Sequence, residues 1–94
     1  MVKHIVVYTL DPEVEKASAV EKIASLLEPL VGKIDGLLKM EIRGTYQGQV
    51  DYVLYSEFSS REALTAYQSH PLHMAAKEQF VHLLKSRVSA DYEV

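Results

Sequence analysis

Residues 37–58 read Leu37-Leu38-Lys39-Met40-Glu41-Ile42-Arg43-Gly44, a connection from Thr45 to Val50, then Asp51-Tyr52-Val53-Leu54-Tyr55-Ser56-Glu57-Phe58. In the first run Leu38, Met40 and Ile42 alternate with Lys39, Glu41 and Arg43, the pattern of a half-solvated strand. In the second, Tyr52, Leu54 and Phe58 share one face while Val53 and Tyr55 share the other. Tyr46-Gln47-Gly48-Gln49 supplies the turn chemistry between them. A hairpin therefore occupies the middle of the chain, and the segments on either side decide what it pairs with.

Upstream, Lys3-His4-Ile5-Val6-Val7-Tyr8-Thr9-Leu10 is rich in β-branched and aromatic residues, which predicts a strand buried on both faces. Asp11 as N-cap and Pro12 at the first helical position predict a helix start, with Glu13 and Glu15 near its positive end. Val20, Ile23, Ala24, Leu27 and Val31 then form one apolar helical stripe, which Pro29 should kink or end, and Gly32 and Gly36 bracket the turn that follows. Downstream, Ser59 with Glu62 predicts a capping box and a short helix to about Gln68. Pro71 opens another helix, with Leu72, Ala76, Phe80, Leu83 and Leu84 as its buried stripe. Arg87 to Val94 alternates Val88, Ala90, Tyr92 and Val94 against Ser89, Asp91 and Glu93, which is a fourth strand.

The order β-α-β-β-α-α-β over residues 1–94 predicts a single α+β domain. Its fold class is a ferredoxin-like sandwich with all helices on one face of an antiparallel sheet. The other face carries Ile5, Val7, Val53 and Tyr55, more apolar surface than a monomer leaves in water, so a homodimer packed sheet to sheet is expected.

Composition narrows the function. The chain has 94 residues, 48% of them hydrophobic and 24% charged, which is ordinary globular usage. It has no cysteine, so disulfides, thiolate metal sites and thiol nucleophiles are excluded. A net charge of −3, with basic residues scattered along the chain, argues against a nucleic-acid partner or an anionic membrane surface. Met1-Val2-Lys3-His4 leads directly into a strand, without the basic start and apolar stretch of a signal peptide, so a cytoplasmic domain is expected. No glycine-rich phosphate loop, Gly-x-Ser-x-Gly elbow or spaced carboxylate pair is present, and no cofactor is expected.

Three histidines and a tyrosine form the candidate constellation. His4 shares a strand face with Val6, Tyr8 and Leu10. His73 lies on the helix opened by Pro71, on a side that overlaps the buried stripe. Tyr67 lies on the face of Leu64, at the end of the preceding helix. If the helices cover the His4 face, all three converge on one cleft walled by Val6, Tyr8, Ile23, Leu27 and Phe80, with His70 at its edge. A histidine in a helix's first turn is biased towards the neutral, proton-accepting form. The plainer reading of the same residues is a hydrogen-bonded core histidine at position 4, a buried ring at Tyr67, and a helix start at His70-Pro71. A metal held by His4, His70 and His73 is disfavoured, because His70 sits at the helix end and no carboxylate is adjacent.

Five pieces in register resemble the stress-responsive dimeric α/β-barrel (Dabb) domain family: Met1-Val2-Lys3-His4-Ile5-Val6, Gly32-Lys33-Ile34-Asp35-Gly36, Ser60-Arg61-Glu62-Ala63-Leu64 with Ala66-Tyr67, His70-Pro71-x-His73, and Asp91-Tyr92-Glu93-Val94. The resemblance implies ferredoxin-like units dimerised through their sheets into a barrel. It includes a plant polyketide cyclase, in which residues matching His4, Tyr67 and His73 line the active-site cavity. By that likeness His73 is a general base, Tyr67 a donor to a carbonyl, and His4 a pocket residue. The chain departs from the cyclase in having Ser56 and Glu57 with no histidine on the opposite strand, and Gln68-Ser69 before Pro71. The expectation is a homodimeric protein that binds a small apolar or aromatic molecule between helices and sheet. An acid–base cyclase or lyase and a non-catalytic stress-response protein are the alternatives.

Overall fold

A computed structural model describes all 94 residues. Strand β1 (Val2–Leu10) is followed by helix α1 (Lys16–Leu27), a 3-10 turn (Glu28–Leu30), strands β2 (Leu37–Gly44) and β3 (Tyr52–Phe58), helices α2 (Arg61–Gln68) and α3 (Pro71–Glu78), a second 3-10 turn (Val81–Leu83) and strand β4 (Leu84–Glu93). The sheet runs β2-β3-β1-β4, every neighbouring pair antiparallel. β3 lies between β1 and β2, which is the split β-α-β of a ferredoxin-like sandwich.

Alternation along β1 and β3 fixes which side chains meet the helices. Val2, His4, Val6, Tyr8 and Leu10 of β1 and Tyr52, Leu54, Ser56 and Phe58 of β3 are buried beneath them. Ile23 and Leu27 of α1, Leu64 and Tyr67 of α2, Met40 and Ile42 of β2, and Phe80 belong to the same core. The opposite face is open: Ile5, Val7, Val53 and Tyr55 are half-buried, and Val88 and Tyr92 are 70% and 49% exposed. No helix is long and apolar enough to cross a membrane.

Several local expectations need correction. Helix α1 starts at Lys16 and is capped by Glu15, whose carboxylate accepts from the amides of Ala17 and Ser18. Asp11 caps a tight turn instead: its carboxylate accepts from the Glu13 amide, and its own amide is tied to the Leu83 carbonyl at 2.8 Å. Pro29 ends α1 by turning the chain into 3-10 geometry, so Val31 falls outside the stripe and is 38% exposed. In β2 a register shift between Leu37 and Lys39 turns Leu37 inward and leaves Leu38, expected inside, 49% exposed. Helix α2 is capped by Ser60 and not Ser59; the Ser60 hydroxyl accepts from Ala63, while the Ser59 amide is bonded to the Gly36 carbonyl at 2.9 Å. That bond draws Gly36 (φ +83°) so close to α2 that a Cβ there would lie 2.5 Å from the Ala63 methyl. Helix α3 stops at Glu78, so of its expected stripe Ala76 is buried within the helix, Phe80 is buried beyond it, and Leu72 is 42% exposed. The last strand is longer than predicted and begins at Leu84.

Candidate functional site

The helices cover β2, β3 and β1 and stop short of β4. Between the α2–α3 pair and β4 the inner side of the sheet is therefore reachable from solvent. Strand register lays the inner residues out in rows. One row is Tyr52–Tyr8–Arg87, the next Leu54–Val6–Ser89, and the third Ser56–His4–Asp91.

In the first row the Tyr8 and Tyr52 rings are stacked at 4.5 Å, and the Arg87 guanidinium lies over Tyr8 at 5.8 Å. In the third, the His4 ring is buried and its Nδ1 is hydrogen-bonded to the half-exposed Asp91 carboxylate. The Ser56 hydroxyl donates to the His4 carbonyl at 3.1 Å, so this row is tied on both sides. A chain of rings then climbs from sheet to helices. His4 meets Phe58 edge-on at 6.3 Å, Phe58 meets Tyr67 at 5.1 Å, and Tyr67 meets His73 at 4.2 Å.

His73 sits in the first turn of α3, where Pro71 sets the backbone and His70 is the N-cap. Its Nδ1 lies 3.3 Å from the Gln68 carbonyl. A carbonyl only accepts, so Nδ1 carries the proton and Nε2 keeps its lone pair. Desolvation holds the imidazole below its ordinary pKa, helped by Lys77, His4 and Arg87 and opposed by the Gln68 carbonyl. The Tyr67 and Tyr52 hydroxyls are enclosed and have no hydrogen-bond partner. Burial pushes both phenols up, and Tyr8 adds to the effect.

Two depressions use β4 as a wall. One, of about 270 Å³, is lined by 11 residues, among them His73, Tyr8, Leu27, Leu54, Phe80 and Arg87, and six of the 11 are hydrophobic. The other, of about 410 Å³, is lined by eight residues, three of them hydrophobic, and lies between α2 and the end of β4, where Arg61 pairs with Glu93 at 2.8 Å and Asp91 contributes a carboxylate. The smaller cavity has the lining expected of a ligand site, mainly apolar walls with a few polar groups among them.

Of the residues singled out in the sequence, His73, Tyr8, Leu27 and Phe80 line this cavity together. Tyr67 reaches it through His73, and Val6 and Ile23 are core residues beneath. His4 is held one row away by Asp91. His70 lies apart: its Nδ1 accepts from the Leu72 amide at 3.1 Å, which is the helix-capping role. Sequence reasoning missed Leu54, Lys77, Leu84, Lys85 and Arg87 in the wall and Asp91 on His4. The alternation of the last strand held a signal for Arg87 and Asp91, since residues opposite in phase to Val88 and Tyr92 must point towards the helices.

The fold has well-defined relatives. A dimeric protein of unknown function with a ferredoxin-like fold from Bacteroides fragilis is 31% identical, with a TM-score of 0.90 over 99% of this chain and 95% of its own. A dimeric ferredoxin-like protein of unknown function from Thermobifida fusca is 23% identical (TM-score 0.84, 99% and 90% covered). An Arabidopsis thaliana protein is 21% identical (TM-score 0.85, 100% and 95% covered). Among curated proteins none matches. The family model for the stress responsive A/B barrel domain matches residues 2–94, and the chain belongs to that family.

Proposed function

We propose that this chain is a homodimeric small-molecule-binding domain whose ligand, apolar or aromatic in its body, occupies the cavity beside His73. The observation that carries this reading is the cavity itself, about 270 Å³ of mainly apolar wall into which one imidazole projects. Its size is near the lower end of small-ligand sites, roughly 300–1,000 Å³. Dimerisation through the open sheet face is supported by the exposure of Val88 and Tyr92 beside Ile5, Val7 and Tyr55, and by the dimeric relatives.

The binding test is an NMR pH titration of the four histidine rings, alone and with a panel of phenolic and polyketide-like compounds. The His73 signal is expected to titrate below ordinary histidine and to move with at least one compound. Indifference of His73 and of the Phe80 and Tyr8 resonances to the whole panel at saturating concentrations rejects the reading. For the dimer, sedimentation should give twice the chain mass, reduced to one by Val88→Lys. A wild-type monomer at micromolar concentration rules it out.

A second reading, acid–base catalysis, is favoured by one geometric fact: the Gln68 carbonyl fixes the His73 proton on Nδ1 and leaves Nε2 as an acceptor at neutral pH. His73 is then the base, and Tyr67, packed on its ring at 4.2 Å with an enclosed hydroxyl that has no partner within the protein, donates to a substrate carbonyl only once substrate entry uncovers that hydroxyl. His73→Asn and Tyr67→Phe should abolish turnover of a cyclising or lyase substrate while leaving the fold intact. Unchanged turnover in both variants excludes it.

A further inference from the structure

The cavity beside His73 is not electrically neutral. Its 11 lining residues include Lys77, Lys85 and Arg87 and no aspartate or glutamate. This stands out in a chain whose net charge is −3. None of the three cations is in an ion pair, since the ion pairs of the molecule are Lys3–Glu57, His4–Asp91, Arg43–Glu28 and Arg61–Glu93. The placement is built into the sheet. A register shift between Thr9 and Leu10 opposite Leu84 and Ser86 makes Lys85 the bulged residue of β4. The bulge lets Leu84, Lys85, Ser86 and Arg87 all line one cavity. Arg87 is aligned in addition by the Tyr8 ring, which it covers at 5.8 Å.

Resting on the binding reading above, we infer that the ligand is an organic anion, a small carboxylate with an apolar or aromatic body, its head held by Arg87 with Lys77 and Lys85 and its body against Leu27, Leu54 and Phe80. A planar guanidinium fork without a protein partner matches a carboxylate in two parallel hydrogen bonds. Two lysines beside it add attraction without adding geometry. The apolar remainder of the wall leaves no place for a second charged group. His73 lines the same space, and with its Nδ1 proton given to the Gln68 carbonyl it adds no positive charge to the three cations.

The test compares 4-propylbenzoate with 4-propylbenzamide, which have the same body and differ in charge, by NMR titration of the intact protein at pH 7.5. The acid is expected to bind at least about tenfold more tightly, a difference of about 1.4 kcal/mol. Its affinity should fall as sodium chloride is raised from about 0.05 to about 0.5 M, because the charges at the cavity rim are screened. Arg87→Met, which keeps an apolar stem over Tyr8, should bring acid and amide to within about twofold of each other. Lys33→Met removes the same charge far from the cavity and should leave the difference intact. Equal binding of acid and amide overturns the anion assignment and leaves cavity binding standing. Tighter binding of the acid that survives Arg87→Met overturns the placement of its head. If neither compound shifts His73 or the cavity amides, the cavity is not a site for ligands of this size, and both readings fall together.

Discussion

β1 and β4 are hydrogen-bonded neighbours from Val2↔Glu93 to Leu10↔Leu84, yet they are opposite kinds of strand. Every inner residue of β1 is at most 6% exposed, whereas every residue of β4 from Lys85 onward is exposed. Their chemistry is inverted as well. β1 turns Val2, Val6, Tyr8 and Leu10 towards the helices, while β4 turns Arg87, Ser89, Asp91 and Glu93 the same way and sends Val88, Ala90 and Tyr92 to the open face. The helices explain this. They seal β1 and end before β4, so the inner row of β4 faces solvent and must be polar, and its apolar row belongs to the surface where a second copy is proposed to pack. One strand therefore makes the core, and the other makes both the cavity wall and part of the outer face.

The sharpest contrast lies within a single row of the sheet. Val6→Ala removes two buried methyl groups from a site 1% exposed and should cost about 2–3 kcal/mol in urea unfolding. Ser89→Ala on the adjacent strand should stay within about 0.5 kcal/mol. Comparable losses at the two positions would mean that β4 is sealed in solution and that the cavity is closed.

The row below couples the two strands. Asp91→Ala leaves the His4 ring buried without its acceptor and should cost about 1 kcal/mol, a value reduced by the exposure of the carboxylate. Asp91→Asn keeps an acceptor oxygen and should recover most of it. A silent Asp91→Ala would show that the His4 contact does not anchor β4.

The buried phenols test how dry the sealed side is. Tyr52→Phe and Tyr67→Phe each remove a hydroxyl that has no partner, so stability should be unchanged or rise by up to about 1 kcal/mol. A clear loss in either would place an ordered water on that hydroxyl.

The smallest expected effect is a pH dependence. The folded pKa of His73 is lowered by desolvation, so below the ordinary histidine value the unfolded chain binds more protons than the folded one. The stability due to neutral His73 is complete above about pH 6.5 and is lost as pH falls below it. Wild type should therefore lose more stability than His73→Asn between about pH 7 and about pH 5. Parallel profiles would mean that the imidazole is as hydrated as in the unfolded chain.

Much of this was legible in residues 37–58 and their flanks. Period-two alternation in the strands, the Gly48 turn and Pro71 at a helix start are local signals, and element order then leaves few topologies. Where local signals competed, the prediction slipped by a few residues. Glu15 displaced Asp11 as a cap because its carboxylate reaches two amides, and Ser60 displaced Ser59 because the Ser59 amide is engaged by Gly36, some 23 positions away in sequence. The convergence of Tyr67 with His73 was readable, because helix periodicity aims both side chains.

The sequence by itself determined the element order, the inner and outer faces of β1 and β3, and the two apolar surfaces that demand cover, since these follow from periodicities of two and 3.6 residues. The tertiary structure alone decided that the helices stop short of β4. Only that makes Asp91 the partner of His4 and gathers Lys77, Lys85 and Arg87, three ordinary cations in the chain, around one cavity. Such juxtapositions depend on strand register and on where a bulge falls, and neither has a period that a single sequence can display.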